Sequence, residues 1–164
     1  MRIIFLDLDG VLVSRRSIVL RDRPHRHANA DPEAVAALNY LIKQTGALLV
    51  VSSVWRIGET LVGLREIING HFGVIGAVIG KTPVIRTKKL YKGTPGMIEI
   101  AAERGDEIDF WLRSDHREPV DSYVILDDDS DMGKHKHRLV LTQFETGLTM
   151  ADAGRAIAML NGAK

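Results

Sequence analysis

The chain has 164 residues, 45% hydrophobic and 26% charged, the composition of an ordinary globular protein with one full core. It has no cysteine, which excludes disulfides, thiolate metal ligands and a cysteine nucleophile. The net charge of +1 is unevenly spread: residues 14–27 hold Arg15, Arg16, Arg21, Arg23 and Arg26 against Asp22, a local +4 that leaves −3 for the remainder.

Residues 3–6, Ile3-Ile4-Phe5-Leu6, are an unbroken apolar run, as expected of a strand buried on both faces of a parallel sheet. Asp7 and Asp9 arrive at its carboxyl end, and Gly10 allows a sharp turn and close approach to a ligand. Residues 11–30 have no clear period and read as a long basic loop with a short hairpin at 17–20. Asp31-Pro32-Glu33 carries the signals of a helix start, and Val35, Leu38, Leu41 and Ile42 follow at helical spacing up to Gly46. Residues 47–51 form a second apolar strand, ending in Ser52-Ser53-Val54-Trp55-Arg56.

Residues 58–69 predict a helix with Leu61, Leu64, Ile67 and Ile68 inward, and 74–79 a weaker strand. A basic loop with two prolines is expected over 81–96, a short helix over 97–103 and another helix over 107–114. Residues 123–126 form a strand that runs into Asp127-Asp128-Asp129, residues 139–141 a further short strand, and 149–160 an alanine-rich amphipathic helix. Strands alternating with helices imply an α/β fold, a Rossmann-like open parallel sheet with helices on both faces. Residues 1–164 read as a single domain. No apolar run is long enough to span a bilayer and the first strand is not preceded by a signal-like segment, so the expectation is a cytoplasmic protein without membrane contact.

Three strand ends therefore carry polar groups: Asp7 and Asp9, Ser52, and Asp127 with Asp128. This pattern resembles the haloacid dehalogenase (HAD) superfamily of phosphohydrolases. The matching pieces are an apolar strand followed by Asp7-Leu8-Asp9-Gly10, a strand ending in Ser52, a basic residue near a helix start, and the late acidic pair. A closer resemblance is to the small HAD domains of RNA-repair proteins. It rests on Ser52-Ser53-Val54-Trp55-Arg56, on Arg104-Gly105-Asp106-Glu107-Ile108 with Trp111-Leu112, on residues 123–132, and on Thr146-Gly147-Leu148-Thr149.

The resemblance implies a Mg²⁺-dependent phosphomonoesterase. Asp7 is the expected nucleophile, forming an aspartyl-phosphate. Asp9 is the expected acid and base, a role typically worth ~10²–10⁴-fold. Mg²⁺ is expected on Asp7, the backbone carbonyl of Asp9, Asp127 and Asp128, with Asp131 the alternative second acid of the late cluster. Ser52 or its neighbour Ser53 would donate to the phosphoryl oxygens, and Gly10 would line the substrate site. Arg104 is the favoured cation of the third motif, with Lys88, Lys89 and Lys92 as alternatives. Arg56 would either clamp a second phosphate or brace its own loop by a salt bridge.

Neither interval in which such enzymes insert a cap holds a full domain, so the chain reads as essentially capless, with the basic loop 11–30 at its mouth. An open, arginine-rich mouth suits a phosphorylated polynucleotide end. The alternatives are a small-molecule or nucleotide phosphatase and a non-catalytic HAD-like binding module. The histidines of 25–27 and 134–137 read as solvated surface more readily than as metal ligands, and Trp55 and Trp111 as core more readily than as base-stacking platforms.

Overall fold

In chain order the elements are β1 (Arg2–Leu6), α1 (Arg15–Val19), α2 (Pro32–Thr45), β2 (Leu48–Val51), α3 (Leu61–Arg65), β3 (Val78–Lys81), β4 (Arg86–Leu90), β5 (Met97–Ala101), α4 (Arg104–Arg113), β6 (Ser122–Asp127), β7 (Leu139–Leu141) and α5 (Met150–Leu160). They come from a computed structural model, which describes residues 1–19, 29–90, 97–115 and 118–162. Five strands form one sheet in the order β3-β2-β1-β6-β7, and every pairing is parallel. The chain steps outward from β1 to β2 and β3, then returns to the other side of β1 as β6. This reversal makes the carboxyl ends of β1 and β6 the switch point at which open sheets bind ligands.

The apolar run of β1 serves two cores because successive side chains of a strand point to opposite faces. Ile4 and Leu6 join Leu38 and Leu41 of α2 and Ala153 and Ala156 of α5. Ile3 and Phe5 join Ile108 and Trp111 of α4, with the Phe5 and Trp111 rings edge to face at 5.4 Å. Each buried aliphatic side chain contributes roughly 1.5–3 kcal/mol by leaving water. The expected helix ends are present: Asp31 caps α2 by accepting from the Glu33 N–H at 3.0 Å, and Gly46 closes it at φ 64°.

Four expectations are corrected. Residues 15–19 form the helix α1 instead of entering a hairpin. The segment is tied to the α2 cap: the Ser14 hydroxyl donates to Asp31 at 2.5 Å, and Arg16 pairs with Asp31 and Glu33. The helix expected from residue 58 starts only at Leu61, where Thr60 caps it, and continues as a wide π-type turn over Glu66–His71. Leu64, Ile67 and Ile68 are buried as expected. The weak strand of 74–79 begins at Val78 and runs to Lys81.

Residues 97–101 form no helix. They are strand β5, paired antiparallel to β4 from Arg86↔Ala101 to Leu90↔Met97. This ribbon replaces part of the basic loop expected over 81–96. The period-two alternation of Ile98 and Ile100 around Glu99 fits this strand, whereas the composition of 97–103 favours a helix. Arg21, Arg23, Arg26, His25, His27 and Lys92 lie outside the described residues. No described helix is long and apolar enough to cross a membrane.

Candidate active site

Strand register assembles the site. Leu6 pairs with Val51 on one side and Leu126 on the other. The next residues in each chain segment, Asp7, Ser52 and Asp127, therefore emerge side by side. The ladder continues one step beyond the strands, with the Ser52 N–H donating to the Leu6 carbonyl at 2.8 Å and the Asp7 N–H to the Leu126 carbonyl at 3.0 Å. Asp7, Asp127 and Asp128 each offer a carboxylate oxygen within 4.8 Å of the others.

Crowding buried carboxylates has an electrostatic cost. Burial, reinforced by the charge of Asp7, pushes the Asp127 carboxyl up to about 7. Burial likewise raises Asp7, opposed by the Arg104 charge, a Ser53 hydroxyl hydrogen bond and the Leu8 N–H, which donates to Asp7 Oδ1 at 2.7 Å. Asp128, the most exposed of the three, is also raised, by burial first. Among the described residues, the buried Asp127 Oδ2 and Ser52 Oγ have no hydrogen-bond partner. Hard oxygen donors under mutual repulsion, one of them orphaned, are a donor set that fits Mg²⁺ with retained waters.

Arg104 reaches this cluster from the start of α4. Its Nη2 lies 3.7 Å from Asp7 Oδ2 and its Nε 3.7 Å from Asp127 Oδ2, while the buried Nη1 makes no hydrogen bond among the described residues. The helix is held in place by Asp131. The Arg104 N–H donates to Asp131 Oδ2 at 3.1 Å and the Gly105 N–H to the Asp131 carbonyl at 3.1 Å. A Cβ at Gly105 would stand 2.3 Å from the Met132 carbonyl oxygen, so only glycine admits this approach. Asp131 thus caps α4, and Asp128 is the acid that joins Asp7 and Asp127. Among the alternative cations, Lys88 is exposed on β4, and the Lys89 side chain and Lys92 lie outside the described parts.

The family model for the HAD domain in Swiss Army Knife RNA repair proteins matches residues 3–153. The chain belongs to this family. The match runs from β1 into α5 and so takes in every residue placed above. No curated protein and no solved structure matches the chain.

In this HAD domain the turn after β2 does more than supply Ser52. Arg56, buried at 3% exposure, pairs with Glu107 and donates to the carbonyls of Ser53 at 2.7 Å, Thr82 at 3.0 Å and Pro83 at 3.2 Å. Its donors face the scaffold, which corrects the substrate-clamp reading in favour of the brace. Gly10 lies beside the acidic cluster. At φ +70° its Cα faces the Asp128 side chain, whose Cγ would lie 2.2 Å from an added Cβ, so the space glycine leaves is taken by a site carboxylate.

Two contacts had no sequence signal. The Trp55 indole Nε1 donates to Asp9 Oδ2 at 2.8 Å. The Thr142 hydroxyl donates to the Gly10 carbonyl at 2.8 Å while its N–H donates to the Asp127 carbonyl at 2.9 Å, tying the first acidic turn to the last. Trp55 lies 46 residues from Asp9 and Thr142 lies 132 residues from Gly10, so only the fold joins them. His135 is also a correction. It is buried and shares a 2.7 Å hydrogen bond between Nδ1 and the Tyr123 hydroxyl, on the face of the sheet that holds α4. Trp111 is core, as expected.

Proposed function

We propose that this HAD domain is a Mg²⁺-dependent phosphomonoesterase that works through an aspartyl-phosphate on Asp7 and removes terminal phosphates from polynucleotides. The observation that carries the reading is the meeting of Asp7, Asp127, Asp128 and Arg104 at one point on the switch of the sheet. Mg²⁺, when bound by those three carboxylates and the Asp9 backbone carbonyl, supplies charge neutralisation and polarisation of the phosphoryl group.

The chain's own residues supply the rest. An ionised Asp7 oxygen attacks phosphorus, and the bond from phosphorus to the leaving oxygen breaks. Asp9 gives its proton to that oxygen, then takes a proton from the water that attacks the phosphorus of the aspartyl-phosphate. Inorganic phosphate leaves and Asp7 is regenerated. Arg104 offsets charge on the transferring oxygens, and the unpartnered Ser52 hydroxyl has a donor to give them. Burial raises the Asp7 carboxyl, and the Arg104 charge opposes that shift.

The polynucleotide end is supported by the RNA-repair character of the family and by the arginine-rich segment. Two of its five arginines are engaged elsewhere, Arg15 with Glu145 and Arg16 with Asp31 and Glu33. Arg21, Arg23 and Arg26, which lie outside the described residues, are the ones assigned to a phosphate backbone. The test is a panel of nitrophenyl phosphate, mononucleotides, and oligonucleotides with 3′- or 5′-phosphates, each with Mg²⁺ and with chelator. Release of phosphate from an oligonucleotide end, faster than from mononucleotides and abolished by chelator, is expected. Absence of turnover on every substrate would overturn the proposal, and preference for mononucleotides would replace the substrate class.

A further inference from the structure

We propose that Trp55 is a positioning residue, whose indole N–H fixes the Asp9 carboxylate so that its second oxygen faces the leaving group. The inference rests on the reading of Asp9 as acid and base. Asp9 sits on the first turn after β1, only partly buried, where a carboxylate would otherwise sample several rotamers. The indole removes that freedom. Nε1 donates to Oδ2 at 2.8 Å, which leaves Oδ1 for proton transfer.

The indole is itself rigidly held. Ser53 caps the 3₁₀ turn Val54–Arg56, its hydroxyl accepting from the Trp55 N–H at 3.4 Å. Arg56, next in the chain, anchors that turn to Thr82, Pro83 and Glu107. The Trp55 ring packs against the core that holds α2 and α5 and meets Phe72 edge to face at 6.0 Å. Tryptophan suits such a place because it offers a large apolar body with one polar handle, and its Nε1 can only donate. A general acid must be held within hydrogen-bond reach of the atom it serves. A half-buried ring packed against the core and bonded to one carboxylate oxygen achieves this without charge, so it adds nothing to the field of the three acids nearby.

The test compares wild type with Trp55→Phe, which keeps an aromatic ring, though a smaller one, and loses the N–H. kcat/KM covers the steps up to aspartyl-phosphate formation. For nitrophenyl phosphate, whose leaving group departs without protonation, it should change by less than about threefold, whereas for a nucleoside 3′-phosphate, whose leaving hydroxyl needs a proton, it should fall by about tenfold or more, a tenth of the lower end of the usual worth of acid catalysis. The inhibition constant of inorganic phosphate should stay the same, because the phosphate is held by the metal site, Arg104 and Ser52 and not by the Asp9 carboxylate.

A second measurement is independent of turnover. The chain has two tryptophans, so its ¹H–¹⁵N spectrum has two indole N–H signals, and Trp55→Phe assigns them. Asp9→Asn should move the Trp55 signal and leave that of Trp111 in place. An unmoved signal overturns the inference, as do equal losses on both substrates or a weakened phosphate inhibition constant, which would mark a merely structural role. If the wild type turns over no phosphomonoester, the phosphatase reading fails and the positioning role fails with it; if it is active and the losses run in parallel, the positioning role alone fails.

Discussion

Two buried arginines in this molecule sit in opposite circumstances. Arg56 is saturated: it has the Glu107 carboxylate and the carbonyls of Ser53, Thr82 and Pro83. Arg104 stands 3.7 Å from Asp7 and from Asp127, beyond hydrogen-bond length, with Nη1 unpaired among the described residues. A saturated buried cation has nothing left to offer a ligand and stabilises the scaffold. An under-satisfied cation facing crowded carboxylates retains donors for an anion that arrives later. The same residue type thus supports a turn in one place and faces a cluster of carboxylates in the other, and the difference lies in what the fold puts around each.

The sharpest way to break this contrast is through turnover. Asp7→Asn should remove activity by about 10⁴-fold or more, since an amide cannot become the acyl phosphate. Arg104→Met should cost about 10²–10³-fold in kcat, the scale for losing one electrostatic stabiliser. With Mg²⁺ present both variants should keep the wild-type circular dichroism spectrum. If Arg104→Met retained full activity, Arg104 would belong with Arg56 as scaffold.

Stability should respond at the other arginine. Arg56→Met leaves the buried Glu107 unpaired and should cost about 3–5 kcal/mol in urea unfolding. The double variant Arg56→Met with Glu107→Met should recover most of that, because an apolar pair replaces a buried ion pair at little cost. A double variant as unstable as the single one would show that the backbone carbonyls, more than Glu107, depend on Arg56.

Metal and pH probe the acids themselves. Mg²⁺ at a hundredfold over its Kd should raise stability by about 2.7 kcal/mol, or about 2–4 °C in Tm per kcal/mol for a chain of this size, and Asp127→Asn should shrink the gain. In chelator, Asp127 binds its proton more tightly folded than unfolded, with a value raised from 3.8 to about 7. Its stabilising contribution is therefore complete below pH 3.8 and is lost as pH rises to about 7. Melting temperature without metal should decline across that window in the wild type and decline less in Asp127→Asn. Equal slopes would remove the proposed crowding at Asp127.

The smallest effect is expected at the segment 14–27. Arg21, Arg23 and Arg26 changed together to alanine should raise KM for a phosphorylated oligonucleotide and flatten its salt dependence by about 0.7 in log–log slope per lost contact. Nitrophenyl phosphate turnover should hardly change. Equal loss on both substrates would make the segment structural, like Arg16 on the α2 cap.

Much of the fold was open to reading because its cues are local. Residues 3–6 announce a doubly buried strand by being apolar without interruption, and Asp31-Pro32 and Gly46 mark both ends of α2 through backbone chemistry that needs no partner. The β4–β5 ribbon departs from the helix that the composition of 97–103 favours, because a strand's pairing partner is not written in the strand's own residues. Asp131 was ambiguous for the same reason. Its spacing from Asp127 allowed a metal-ligand role, and only the arrival of α4 shows its oxygen bonded to the Arg104 N–H.

By itself, the sequence determined which residue types stand at which strand ends: Asp7 and Asp9, Ser52, Asp127 and Asp128. It could do so because strands and turns are written in short-range patterns of burial and backbone preference. Tertiary structure alone decided how these groups divide the work. Whether Arg56 or Arg104 faces the acids, which carboxylate Gly10 makes room for, and that Trp55 reaches Asp9 are questions of distance between separate segments of the chain. Such distances follow from sheet register and helix packing, and no local pattern encodes them.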